Sequence, residues 1–302
     1  MLRKLFTTIP TLILTLNSFS QESGDTTTLN RKQLRNVIVF ESAVAVTSLA
    51  GLSLLWYADY PKSSFHFIND NDEWLQMDKF AHVTASYYIG KVGYELLRSA
   101  GVERKKAIWF GGSTGFVYLG MVEILDGFSA QWGASMGDVA ANAAGTAAFI
   151  GQQFAWDEQR ILLKWSFHMT QYAQYNPEQL GSTFPQRMMK DYNGQTYWLS
   201  GNIRSFLHKE SRFPAWLNIA VGYSGDGMIG ARDNPSEIDG NPIPYFVRTR
   251  QYFLAPDIDL TRIKTKSPFL KMVFNIFGVL KFPLPTVEYN SVQGLVFHPV
   301  YF

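Results

Sequence analysis

The chain has 302 residues with 27 Lys and Arg against 25 Asp and Glu, a balance too even for nucleic-acid binding by bulk charge. Aromatic residues reach 15% and charged residues only 17%, which suits a protein that shows aromatic surface to a lipid interface or packs a large aromatic core. Cysteine is absent, which excludes disulfide frameworks, thiolate metal sites and cysteine nucleophiles.

Residues 1–20 read as a cleaved signal peptide: Arg3 and Lys4 precede an apolar run, and small residues close at Ser18 and Ser20. A permanent anchor is the alternative, against which the run is too short to span. Residues 21–35 form a polar, flexible lead-in. Four helices are predicted next, over residues 36–58, 73–99, 104–125 and 135–154. The first is apolar apart from Glu41, long enough to cross a bilayer, and preceded by Arg31, Lys32 and Arg35. The third carries Gly111, Gly112, Gly115 and Gly120. The fourth carries Gly137, Ala141 and Gly145, with Ala140, Ala144 and Ala148 one step away. Small residues at four-residue spacing let helix backbones approach closely, as in membrane helix pairs; a soluble, alanine-lined bundle is the alternative.

After residue 156 the helical period fades. Residues 216–223 alternate like a half-buried strand, and residues 257–260 do the same. Residues 224–244 are rich in Gly, Asp, Asn and Pro and read as a long loop, with the glycines at 222 and 225 as turn chemistry. Asn193 and Gly194 signal a tight turn among Tyr192, Tyr197 and Trp198. Residues 267–281 form an apolar helix preceded by Arg262, Lys264 and Lys266, either interfacial or buried in a core. The terminal Phe302 is of the kind that ends outer-membrane barrels, but too few well-alternating strands are visible to close one, and Pro299 weakens the last. The expected fold is therefore mainly α: a Gly/Ala-rich four-helix membrane-type bundle over residues 36–156, then an aromatic-rich mixed α+β region over residues 157–302.

The candidate site lies in the bundle. Asp78 and His82 sit four apart near the start of the second helix, and Glu123 and Asp126 close the third, three apart. Ser135, Asp138 and Asn142 open the fourth on a common face. With antiparallel neighbours and a short third connection, all seven gather at one end of the bundle. Carboxylates and a histidine suit a hard metal ion or general acid–base chemistry, and ionisable groups in an apolar bundle are costly without partners. The structural alternative is equally concrete: Asp78 and Ser135 as caps, His82 paired with Glu123 or Asp126, and Asn142 holding register. No HExxH, GxSxG or phosphate-binding glycine loop is present, and no cofactor is expected.

The ordered set Asp78-Lys79 with His82, Glu123 with Asp126-Gly127, and Ser135 with Asp138, Asn142 and Gly145 resembles the YfiM-type family of periplasmic lipoproteins. It is similar, more distantly, to the VanZ-like membrane proteins, and the likeness covers residues 74–156. The resemblance implies a small helical envelope domain of uncharacterised role, and by analogy with glycopeptide resistance an envelope or peptidoglycan setting. The chain departs from it in lacking the cysteine of a lipobox and in adding the region after residue 156. The expectation is an exported, membrane-associated envelope protein on the periplasmic side, structural or partner-binding. Its expected partners are membrane lipid and, beyond it, envelope proteins or peptidoglycan. The alternative is a membrane-embedded hydrolase or transferase acting on an envelope lipid or peptidoglycan precursor.

Overall fold

A computed structural model describes residues 28–54, 61–208 and 210–302. The expected signal peptide lies outside the described residues, as does the end of the first predicted helix.

Chain contacts divide the molecule into two units. One holds the described residues up to Ile68 with Ala85–Glu158 and Lys264–Ile276; the other holds Asn69–Thr84, Gln159–Ile263 and Phe277–Phe302.

The first unit is helical. Its elements are α1 (Arg31–Leu52), the greater part of α2 (Met77–Ser99), α3 (Arg104–Gly112), α4 (Thr114–Gly127), α5 (Met136–Trp156) and most of α6 (Pro268–Phe277). Strand β1 (Phe67–Ile68) pairs in parallel with β2 (Ala134–Ser135). Asn30 caps α1 by accepting from the Gln33 amide at 3.0 Å. Val37 packs on Leu96 and Ala100, and the Asn30 amide donates to the Ala100 carbonyl, so α1 begins where α2 ends. Further along, the Tyr118 hydroxyl donates to Ser48 at 2.9 Å. The predicted third helix is broken in two at Ser113, where Gly111, Gly112 and Ser113 together weaken the helix.

The glycines serve the close approach of α2 to α3 and α4. A Cβ on Gly111 would lie 2.5 Å from the Tyr94 amide nitrogen, and one on Gly115 would lie 2.1 Å from the Ser86 carbonyl oxygen. Only glycine permits that contact. The alanine row Ala140 and Ala144 on α5 is exposed, whereas Ala141 and Gly145 are buried.

The second unit overturns the expected fold class. Its core is a six-stranded antiparallel sheet of order β10-β9-β8-β5-β4-β3, so the chain is α+β rather than mainly α, and the described residues do not form the expected four-helix bundle. The strands are β3 (Ile161–Phe167), β4 (Gln195–Asn202), β5 (Leu217–Asp226), β8 (Thr249–Ile258), β9 (Leu284–Asn290) and β10 (Gly294–Tyr301). A small ribbon, β6 (Glu237–Ile238) with β7 (Asn241–Pro242), interrupts the predicted long loop. Gly222 and Gly225 lie inside β5 rather than in a turn, and Asn193 with Gly194 form a single helical turn leading into β4. Residues 257–260 divide between the end of β8 and a short helical turn.

The sheet curls strongly. The Tyr301 hydroxyl on β10 lies 3.2 Å from Thr196 on β4, four strands away in sheet order. A flat sheet would hold those strands about 19 Å apart at roughly 4.8 Å per step. The β3 edge is tied to the approach of β9, since the Trp165 amide donates to the Val279 carbonyl at 2.9 Å and the Lys281 amide to the Trp165 carbonyl at 2.9 Å.

Polarity is inverted across this sheet. The enclosed face carries Lys164, Ser166, Thr196, Ser200, Asn218, Asp257, Thr286, Glu288 and Asn290, all buried. Lys164 Nζ lies 2.8 Å from Asp257 Oδ2, with neither side chain exposed. Ser200 donates to Asp257 at 2.6 Å, Asn218 to Ser200 at 2.9 Å and Asn202 to Asn218 at 2.6 Å. Trp198 donates to Ser166 and packs on Phe253, with Tyr301 beside both. The opposite face is apolar. This inversion is why strands β3, β4, β8 and β9 were hard to read: their charged and amide-bearing positions look like loop.

Lys281 gives the network a pH signature. Burial lowers its ammonium pKa from 10.5 to about 8, against the attraction of Asp257 and with the repulsion of Lys164. Below about pH 8 both folded and unfolded chains carry this charge; between about 8 and 10.5 the unfolded chain binds the extra proton, so stability rises with pH. The gain reaches roughly 3 kcal/mol if nothing else titrates. The buried tyrosines Tyr197 and Tyr301, whose pKa values burial raises, oppose it only above the ordinary tyrosine range near 10. Denaturant unfolding from pH 7.5 to about 9.5 should show the rise in the native chain and its loss in Lys281→Met.

Candidate functional site

In the helical unit the end of α4 and the start of α5 form a buried polar corner. Ser135 caps α5 by accepting from the Asp138 amide at 3.1 Å, and its own amide donates to Glu123 Oε2 at 3.0 Å. A carboxylate oxygen of Glu123 lies within 4.8 Å of one of Asp138. Glu123, Ser135, Asp138 and Asn142 are each at most 5% exposed. The corner is held by backbone: His66 donates to the Gly127 carbonyl at 3.0 Å, and Ala134 donates to the His66 carbonyl at 3.0 Å. Gly127 has no room for a side chain, because the Phe65 ring edge lies 2.3 Å from where its Cβ would stand.

Asp126 is only half-buried, one turn beyond Glu123. Asn142 follows Asp138 by one turn on the same buried face of α5, and Thr146 continues that row.

In the sheet unit a second acid pair precedes and opens α2. Carboxylate oxygens of Asp70 and Asp78 lie within 4.8 Å of each other, and Lys79 Nζ bridges them at 2.7 and 2.9 Å. Burial pushes the Asp78 carboxyl above its usual range, and the adjacent Lys79 ammonium pulls it back. His82 is half-buried one turn further along the helix. The turn feeding this segment is strained: Trp74, Leu75 and Gln76 have φ of 47°, 51° and 66°. Such conformations cost on the order of 1–3 kcal/mol each and persist only where surroundings impose them. Here the Leu75 carbonyl accepts from the Tyr223 hydroxyl at 2.5 Å and from Arg250 at 3.1 Å, while the Trp74 amide donates to Ala231 at 2.7 Å. Phe80 stacks on Tyr223, their ring centroids 4.7 Å apart.

The structure thus brings Glu123, Ser135 and Asp138 into one hydrogen-bonded corner with Asn142 beside it, and leaves Asp126 more open. Asp78 belongs to an ion-paired group with Asp70 and Lys79. Asp70 is not readable from the sequence, because its Asn-Asp-Asn-Asp setting has the composition of a turn.

Two buried carboxylates this close repel strongly, so each pair needs a cation, a shared proton or donated hydrogen bonds. Lys79 supplies the cation for Asp70 and Asp78. For Glu123 and Asp138, the Ser135 amide and the α5 N-terminus supply part of the compensation. Oxygen donors in this spacing are also the donor set of a hard divalent cation.

Residues 66–151 match a protein-family model described as a predicted periplasmic lipoprotein (DUF2279). The match spans both β1 and the whole polar corner, but well under half of the chain. Comparisons with curated proteins and with solved structures give no match. The family description is consistent with an exported cell-envelope protein whose biochemical role is uncharacterised.

Proposed function

We propose that this chain is an exported, membrane-associated envelope protein whose helical unit lies in a bilayer. Its buried polar corner organises the helices or receives a partner. The observation that carries this reading is α1, a 22-residue helix of about 33 Å. Ile38, Val39, Val44 and Val46 on it are each more than half exposed. That length matches a bilayer's hydrocarbon core, and Arg31, Lys32 and Arg35 stand at its start as headgroup contacts. Arg104–Gly127 is a second segment long and apolar enough to cross, with Trp109, Phe110, Val117 and Ile124 exposed. Exposed apolar surface of this extent on an envelope protein marks a lipid or protein interface.

The ordered motif from Asp78 to Gly145 supports kinship with the YfiM-type domains and, more remotely, the VanZ-like membrane proteins. Envelope proteins or peptidoglycan are the partners that such kinship suggests. The test is fractionation of envelopes from expressing cells, washed with carbonate and high salt. Retention in the pellet is expected. Release into the supernatant would overturn the membrane reading.

The acid pair of Glu123 and Asp138 favours a second reading, a membrane-embedded hydrolase or transferase working on an envelope lipid or peptidoglycan precursor. In that case the pair holds a divalent cation or passes a proton. Elemental analysis of the purified chain should then find a bound divalent metal that Glu123→Gln loses while keeping its thermal stability. A metal-free protein whose stability falls with the same substitution leaves the corner a structural device.

A further inference from the structure

The sheet unit offers a second, independent surface to a membrane. The strand register places Leu199, Val221, Leu254, Val287 and Phe297 side by side across β4, β5, β8, β9 and β10. Each is between 41% and 64% exposed, and none carries a polar atom on its side chain. The next outward-facing row in the same register is Tyr197, Tyr223, Tyr252, Tyr289 and Leu295. Phe80 covers the Tyr197 end of that row, while Tyr252 and Tyr289 are about half exposed. On the other side of the aliphatic row lie Ile219 and Pro256.

A water-soluble curled sheet does the reverse, turning apolar residues inward and polar ones out. Here the inward face holds the Lys164–Asp257 pair, the Glu288–His298 contact at 2.7 Å and a chain of amides and hydroxyls. Most of its polar groups bond to one another inside, which is what a sheet facing hydrocarbon requires. The outward rows reproduce a lipid-facing strand pattern, an aliphatic belt bordered by the exposed Tyr252 and Tyr289, whose hydroxyls suit the headgroup level. Strands β5 and β8 have ten residues each, the length of a tilted membrane-crossing strand. The side chains of Trp198, Phe253 and Tyr301 occupy the enclosed side.

We infer that the outward face of this sheet is seated against the acyl chains of a lipid bilayer, with the exposed Tyr252 and Tyr289 at its headgroup boundary. This extends the membrane reading of the helical unit to a different surface, and either can fail without the other. The absence of native cysteine allows clean single-site labelling. Full-length chains carrying Val221→Cys, Leu254→Cys, Val39→Cys or Asn241→Cys would be spin-labelled and reconstituted in phosphatidylcholine–phosphatidylglycerol vesicles. Collisions with lipid-soluble oxygen and with a water-soluble nickel chelate would then be compared. At positions 221 and 254 oxygen should dominate severalfold, while at 241, exposed on β7 of the small ribbon, nickel should dominate. Nickel dominance at 221 and 254 overturns the inference, and so does protection from both reagents, the mark of a face covered by protein such as a second copy. Oxygen dominance at 39 with either of those outcomes at 221 leaves the helical anchor standing alone; the converse leaves only the sheet. Should Val221→Cys fail to fold, Phe297→Cys on the same row gives the same reading.

Discussion

Asp257→Ala should cost the sheet unit about 3–5 kcal/mol, because it strands buried ammonium groups without their counter-charge. Asp257 Oδ2 lies 2.8 Å from Lys164 Nζ and accepts from Ser200, and its other oxygen lies 3.9 Å from Lys281 Nζ. Among the described residues Lys164 keeps a hydrogen bond to the Ile258 carbonyl at 2.7 Å and Lys281 one to the Phe282 carbonyl at 2.9 Å. Carbonyl oxygens accept a hydrogen bond but do not neutralise a charge in a low-dielectric interior. Lys281 also lies 5.0 Å from the centre of the Trp198 ring, so tryptophan fluorescence reports unfolding of this region. Denaturant titration should show the midpoint falling with an unchanged slope. The triple variant Lys164→Met, Lys281→Met with Asp257→Leu should recover much of the loss, since apolar groups of similar volume replace the buried charges at little cost. A single substitution costing less than about 1 kcal/mol would mean that water reaches the pair and that the enclosed face is not dry.

The second large effect is expected at Gly115. An alanine there would put its Cβ 2.1 Å from the Ser86 carbonyl oxygen and 2.8 Å from the Ser86 Cα. Both are backbone atoms in the middle of α2, so no side chain can turn aside. The helices must separate, and the loss of their packing should reach about 3 kcal/mol or more, at the top of the range for overpacked cores. Gly120→Ala on the same helix is the control. Nothing stands within 4 Å of its Cβ position, and the substitution should be neutral or stabilising by up to about 1 kcal/mol through helix propensity. Thermal unfolding of the two variants beside the native chain separates them. Equal effects would show that the glycines serve something other than close approach.

Much of the helical unit was legible because its signals are local. The 3.6-residue period, the Ser135 cap and the glycine spacing each act within a few turns of chain. The grouping of Glu123, Ser135 and Asp138 was legible for the same reason: a short connection between antiparallel helices leaves little freedom in where their ends meet. The break at Ser113 was harder, since a run of weak helix formers lowers stability without saying which residue gives way.

The sheet was poorly legible, and its strands show why. Strand recognition assumes that an alternating segment buries its apolar side. In β8 and β9 the buried positions are Thr249, Phe253, Ala255 and Asp257, and Thr286, Glu288 and Asn290. Phe253 and Ala255 look ordinary, but Asp257, Glu288 and Asn290 put a charge or an amide on the side that faces in. Which side of such a strand is inside depends on partners far away in sequence, such as Lys164 for Asp257. The Asp70–Asp78–Lys79 group has the same character at shorter range, because the Trp74–Gln76 turn that delivers it is imposed by Tyr223, Arg250 and Ala231.

Composition, helix periodicity and caps were therefore properties of the chain alone, since each arises from interactions between residues a few positions apart. Three things belonged to the tertiary structure: the inverted faces of the sheet, the strained entry to α2 and the contact of Gly115 with Ser86. Each depends on an atom brought close by folding from tens of residues away, and no local pattern encodes the free energy of that meeting.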